Sequence, residues 1–110
     1  MNLDGSKQLE GIDYDQTYSP TASWPAVRLL LALSLLNSWF TKQIDFVQAF
    51  PQAPITQRQF LKLPKGIAIE GVDDPSEWVL ELKRNLYGRK DAGRNWYLHL
   101  KGELESIGFV

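Results

Sequence analysis

With 44% hydrophobic and 23% charged residues in a chain of 110, the composition excludes a disordered tail, and a net charge of −1 excludes a polycation that coats nucleic acid over its whole surface. The absence of cysteine excludes a disulfide framework and any thiolate metal site. The longest apolar stretch, Val27–Leu36, is interrupted by Arg28 and Ser34 and is about half the roughly 20 residues a bilayer span needs, so no membrane partner is expected.

Residues 1–23 are polar and turn-rich and read as loop or weakly paired strand. Residues 1–10 form a poorly defined leading segment, without the basic patch and apolar core of a signal peptide, so the chain is expected to be intracellular. Ser23 can cap a helix whose first turn tolerates Pro25, because the amide that proline lacks would be unpaired there anyway. Val27, Leu30, Leu31, Ser34 and Leu35 follow at helical spacing, and further leucines widen the apolar surface nearly all round. This helix is expected to be largely buried and to end near Asn37.

Thr41–Val47 alternates as a strand, with Gln43 and Asp45 on one face and Ile44 and Phe46 on the other. Pro51 and Pro54 forbid a continued ladder or a long helix. Short strands are predicted at Gln59–Leu63 and Trp78–Lys83, with a loop or hairpin tip between them. A last helix is predicted from about Asp91 to Ser106, its stripe made by Trp96, Leu100, Leu104 and Ile107, and Gly108 stopping it. The pattern is α+β, around a small antiparallel sheet packed on helices.

Two features carry possible chemistry. Asp45 interrupts an otherwise apolar strand, where a carboxylate is tolerated at a metal site, in an ion pair or at a solvent-facing end. Taken alone, an exposed or paired aspartate is the favoured reading. Charge is also uneven: Lys83, Arg84, Arg89, Lys90 and Arg94 cluster with Asp91 as the one acid among them. Such a cluster suits phosphates, although a solvated basic face explains it equally well.

The setting of these residues is more specific. Gln43-Ile44-Asp45-Phe46-Val47-Gln48-Ala49-Phe50 resembles the first metal-binding motif of copia-type retrotransposon reverse transcriptases. Gly11-Ile12-Asp13-Tyr14-Asp15-Gln16-Thr17-Tyr18-Ser19-Pro20, Phe60-Leu61-Lys62-Leu63-Pro64-Lys65-Gly66 and Leu86-Tyr87-Gly88-Arg89-Lys90-Asp91-Ala92-Gly93-Arg94-Asn95-Trp96-Tyr97 resemble three further segments of that family, in the same order. The resemblance covers about Gly11 to Phe109 and implies a partial fingers-and-palm domain of a right-handed polymerase over residues 11–110. It implies RNA-directed DNA synthesis by the complete parent, with an RNA or DNA template-primer, a deoxynucleotide and the rest of a polyprotein as partners, in a cytoplasmic particle or the nucleus.

Within it, Asp45 would bind two Mg²⁺ ions (Mn²⁺ being possible), helped by the carbonyl of Phe46. Hard cations of this kind take carboxylate and phosphate oxygens. Gln48 and Ala49 would lie near the incoming triphosphate, and Phe50 would be the aromatic gate against a 2′-hydroxyl. Tyr87, Gly88, Arg89, Lys90 and Arg94 would touch the template-primer, Gly88 by allowing close backbone approach and the bases through phosphates. Trp96 and Tyr97 are expected in the core and His99 on the surface. The sequence departs from the family pattern at Gly93, usually proline, and at Pro51-Gln52-Ala53, usually Leu-Asn-Gly. The Tyr-Val-Asp-Asp hairpin with the remaining metal carboxylates would lie beyond Val110, so the isolated chain is expected to be inactive. The alternatives are a non-catalytic nucleic-acid-binding module and an inert relic of a mobile element.

Overall fold

A computed structural model describes residues 2–110. Helix α1, Trp24–Leu36, begins where the sequence predicts: the Ser23 hydroxyl accepts the Ala26 amide at 3.4 Å, and proline occupies the first turn. It ends in a Schellman arrangement, with Ser38 N–H donating to Leu35 O at 3.3 Å and Trp39 N–H donating to Ser34 O at 2.8 Å. The turn needs a left-handed residue, and Ser38 adopts φ 54° there without the freedom a glycine would bring.

The expected burial of α1 does not hold. Leu29, Leu30 and Leu31 are more than half exposed, Leu35 and Leu36 are each 82% exposed, and the helix's one buried residue is Ser34, whose hydroxyl bonds back to Leu30 O at 2.7 Å. The leucines predicted a helix correctly, but burial needs an opposing surface. Substantial packing between elements joins β1 to β2 and α2 to α3, and not α1 to either pair.

Thr41–Val47 is likewise not a strand. It is exposed and forms no ladder, because no second strand among the described residues lies alongside to take its backbone hydrogen bonds. The chain then turns at Gln48, left-handed at φ 51°, into the single helical turn α2, Ala49–Gln52. The Gln52 amide donates to Val47 O at 2.6 Å and closes that turn, while Pro51 fits because the turn goes no further.

The two later strands form, shortened to β1, Phe60–Lys62, and β2, Val79–Glu81, paired antiparallel with Phe60 opposite Glu81, Leu61 opposite Leu80 and Lys62 opposite Val79. The pairing runs on through Leu82 N–H to Gln59 O at 2.9 Å, and Asn85 N–H reaches Ala53 O at 3.1 Å. Helix α3, Ala92–Ser106, closes on Gly108 at φ +100°, with Phe109 N–H donating to Leu104 O at 3.0 Å. The architecture is therefore α+β, with three α-helices and a two-stranded sheet instead of the three strands expected.

The buried centre is polar. Among the described residues the buried apolar side chains are Ala53 and Ala92, whereas Ser34, Gln59, Asn85, Arg89, Asp91 and Asn95 are all buried. The Cα radius of gyration is 19.3 Å, against roughly 13 Å for a compact domain of about 100 residues. The chain is drawn out because its longest apolar element packs on little else.

Candidate functional site

Asp45 lies on the unpaired stretch before α2, exposed to solvent and in no ion pair among the described residues. It neither faces an apolar interior nor is locked to a base. Its neighbours are anchored by aromatic contacts. The Phe46 ring meets Trp96 of α3 edge-on, with centroids 5.1 Å apart. Four residues on, α2 turns Phe50 onto Tyr87, with centroids 5.0 Å apart and planes tilted by 37°. Ala49 is half-buried beside this pair, and Gln48 is exposed at the left-handed corner.

Phe50 and Tyr87, which the sequence separates by a hairpin, thus meet ring to ring. Contacts of this kind contribute about 0.5–1.5 kcal/mol beyond the area they bury. They hold the Asp45–Phe50 stretch beside the basic turn.

That turn is held from behind by the N-terminal segment. Leu3 N–H donates to Tyr87 O at 2.7 Å, and Asn2 bridges Tyr87. Gly88 sits at φ +94°, and a Cβ there would stand 1.9 Å from Leu3 O; a Cβ at Gly5 would stand 2.1 Å from Gly88 O. The close approach that Gly88 permits is therefore made by the chain itself. Residues 2–8, where no motif is recognisable, are what make it, and a lone glycine at position 5 was the one signal available.

The basic residues divide. Lys83 and Arg84 are exposed, the first bonded to Glu81 and the second donating to Gln52 O at 2.8 Å. Lys90 is exposed, but its amide donates to Gln8 Oε1 at 2.8 Å, its ammonium to Gln8 O at 3.2 Å, and it lies 5.3 Å from the Tyr14 ring centroid. Arg94 is half-buried, with Nη1 donating to Tyr18 O at 3.4 Å.

Arg89 is withdrawn from the surface. Its Nε and Nη2 clasp the Asp91 carboxylate at 3.1 and 2.7 Å, and the two side chains are 2% and 4% exposed. Asn95 Nδ2 donates to both Asp91 Oδ2, at 3.1 Å, and Asn85 Oδ1, at 3.2 Å. Sequence reasoning assigned neither asparagine a role, since nothing distinguishes a buried asparagine from a surface one in a single sequence. Trp96 and Tyr97 are half-buried, short of the core position expected of them, with Trp96 against Phe46, and His99, expected on the surface, is half-buried against Trp96 with centroids 6.0 Å apart.

The donor set does not make a two-metal site within this chain. Among the described residues no three His, Cys, Asp or Glu side chains gather to hold an ion. Asp45 and the Phe46 carbonyl offer far fewer protein oxygens than two octahedral cations need. No reaction step through a metal follows from these residues alone.

Comparison with known proteins gives this geometry its context. Residues 1–110 match the family described as reverse transcriptase (RNA-dependent DNA polymerase), and the match includes the leading ten residues. The chain is 35% identical over 106 residues to the retrovirus-related Pol polyprotein from transposon RE1 of Arabidopsis thaliana, covering 96% of this chain and 7% of that protein. It is 28% identical over 106 residues to the corresponding polyprotein from transposon TNT 1-94 of Nicotiana tabacum, covering 96% of this chain and 8% of the relative. To the transposon Ty1-H Gag-Pol polyprotein of Saccharomyces cerevisiae it is 31% identical over 98 residues, covering 84% of this chain and 5% of the relative. The chain thus spans less than a tenth of the length of these relatives. No solved structure matches it.

Proposed function

The chain belongs to the reverse transcriptase family and corresponds to a stretch of copia-type Pol polyproteins, and on that premise we propose that it supplies part of the fingers and palm of an RNA-directed DNA polymerase. Asp45 contributes one carboxylate to a divalent-metal site, of magnesium or manganese, that carboxylates outside these 110 residues complete. Phe50 bounds the nucleotide pocket, with Phe46, Gln48 and Ala49 lining its approach. Tyr87, Gly88, Lys90 and Arg94 form the face that meets template and primer. Arg89 serves that face from within, by fixing the turn through Asp91.

The observation that carries this reading is the contact of Phe50 with Tyr87. It joins the segment after Asp45 to the basic turn, which supports a reading in which the exposed Asp45 carboxylate, the Phe50–Tyr87 pair and the cations Lys90 and Arg94 serve one site. These are the parts a polymerase needs near a primer terminus: electrostatic neutralisation of phosphate and a stacking surface for the sugar and base.

The isolated chain binds nucleic acid weakly, through sequence-independent phosphate contacts, and does not extend a primer. Primer extension with Mg²⁺ or Mn²⁺ is the direct assay: no product above an Asp45→Ala control is expected from the chain alone. Grafted in place of the matched residues of the RE1 polyprotein's polymerase region, the chain should support extension that Asp45→Asn abolishes. Extension by the graft that survives Asp45→Asn would end this reading.

A further inference from the structure

Tyr87, Gly88 and Lys90, which the proposed template-primer face needs, are each engaged by residues 2–8. Leu3 N–H donates to Tyr87 O at 2.7 Å, and a Cβ at Gly88 would stand 1.9 Å from Leu3 O. The Lys90 ammonium donates to Gln8 O at 3.2 Å and its amide to Gln8 Oε1 at 2.8 Å, so one residue holds the lysine at both ends.

The segment is organised as a unit of its own. Around its single 3-10 turn, Gly5–Lys7, the Asp4 carboxylate accepts the Ser6 amide at 3.0 Å and the Ser6 hydroxyl at 2.6 Å. Gln8 N–H closes the turn on Gly5 O at 3.1 Å. Its grip on the basic turn is slighter. The bonds to Tyr87 and Lys90 are made with amide oxygens, and each contributes little net because water or another acceptor can replace it. Arg89, by contrast, is buried on Asp91 and stays in place whether or not the segment is there.

Charge explains why this segment lies against this turn. Residues 2–15 carry Asp4, Glu10, Asp13 and Asp15 against Lys7 alone. The cations between Lys83 and Arg94 attract such a segment as they would attract phosphate. A phosphate oxygen also brings to Lys90 the full opposite charge that a Gln8 carbonyl lacks.

We infer that residues 2–8 are an internal cover of the basic turn, competing with a nucleic-acid strand for Gly88 and Lys90 and lifting off when the strand binds. The inference rests on that turn being where nucleic acid binds, and adds that access to it is regulated by the chain itself.

Binding of a short fluorescent oligothymidylate to the whole chain, read by anisotropy, tests it with Gly5→Ala. Gly5 lies outside the left-handed region, so alanine adds only the clash of its Cβ, 2.1 Å from Gly88 O, and leaves every base untouched. The variant should bind about tenfold more tightly, as the loss of one or two competing hydrogen bonds predicts. Its salt dependence should steepen by about 0.7 in logarithmic slope, for the phosphate that Lys90 gains. In the parent chain, saturating oligothymidylate should speed exchange of the Leu3 amide severalfold, a measurement that holds even where Gly5→Ala fails to fold. Binding that leaves the Leu3 amide protected, or equal or weaker binding by the folded variant, overturns the inference and spares the template-primer reading. No binding by the parent and the folded variant alike removes that reading, and the inference with it.

Discussion

The segment Asn85–Asn95 and helix α1 invert the usual rule of burial. In the first, an arginine, an aspartate and two asparagines are withdrawn from water and tied to one another. In the second, a helix rich in leucine stands with most of those leucines in solvent. Local pattern determines which element forms, while burial depends on what the rest of the molecule brings alongside. The polar segment gathers the N-terminal strap, α2 and α3 around itself, and α1 gathers nothing comparable. Its apolar face awaits a covering surface that the described residues do not provide.

The sharpest break in this comparison comes from removing one half of the buried ion pair. Asp91→Ala leaves the Arg89 guanidinium buried and unpaired, and stability should fall by about 3–5 kcal/mol, measured by urea denaturation. Asn95 would lose an acceptor in the same change. If instead the variant loses less than about 1 kcal/mol, the segment is not the buried centre described here, because surface ion pairs are worth no more than that.

A second, smaller effect tests the strap that closes over this segment. Gly88→Ala forces a side chain into φ +94° and sets its Cβ 1.9 Å from Leu3 O. A left-handed residue costs about 1–2 kcal/mol, and the clash can be relieved only by lifting residues 2–7 from the turn. Faster exchange of the Leu3 amide, which donates to Tyr87 O, should accompany the loss. Unchanged exchange would show the strap to be held elsewhere.

How far the sequence could be read follows the same division. The Ser23 cap of α1, the β1–β2 pairing and the stop at Gly108 depend on neighbours in the chain, and each was legible from residue type and spacing. The strand at Thr41–Val47 was not, since alternation of Ile44 and Phe46 states a preference that only a partner strand can realise. At the site, Asp45 and Phe50 could be singled out by their motif. That Phe50 meets Tyr87, and that Arg89 turns inward to Asp91 while Lys90 stays out, depends on contacts between distant segments, which one sequence does not reveal.

The apolar side of the comparison is tested by a substitution that should do little. Leu36, 82% exposed at the end of α1, should accept lysine with a change within about 0.5 kcal/mol, as surface positions do. Burying a leucine and then truncating it would by contrast cost about 2–5 kcal/mol. Leu36→Lys should also reduce self-association in sedimentation, since it breaks a large exposed apolar patch. A loss above about 2 kcal/mol would mean that α1 is covered in solution, and the contrast with Asn85–Asn95 would disappear.

The smallest expected effect concerns acids outside both regions, and it separates exposed charge from the buried pair. Lys83 and then Arg58, by hydrogen bonding to Glu81, hold its carboxyl below the usual range. The Ser76 hydroxyl and amide do the same for Asp74, and those of Ser6 for Asp4. In each case the folded chain binds a proton less readily than the unfolded chain. The stabilisation is therefore complete above the ordinary carboxylate values, near about pH 4, and is lost as pH falls through the lowered folded values. Asp4 and Asp74 are exposed and Glu81 is half-buried beside two exposed bases, so these groups should give only a shallow decline. Added salt should weaken the Glu81 part first because two bases bond it, whereas opposite charge is the smallest of the causes acting on Asp4. Amide exchange across Phe60–Lys62 and Val79–Glu81, followed from about pH 6 to about pH 3, should show the hairpin loosening below about pH 4, and Glu81→Gln should flatten that dependence. Loosening that instead begins as pH rises from about 5 to about 7 would have the opposite sign and would remove Glu81 as the hairpin's electrostatic tie.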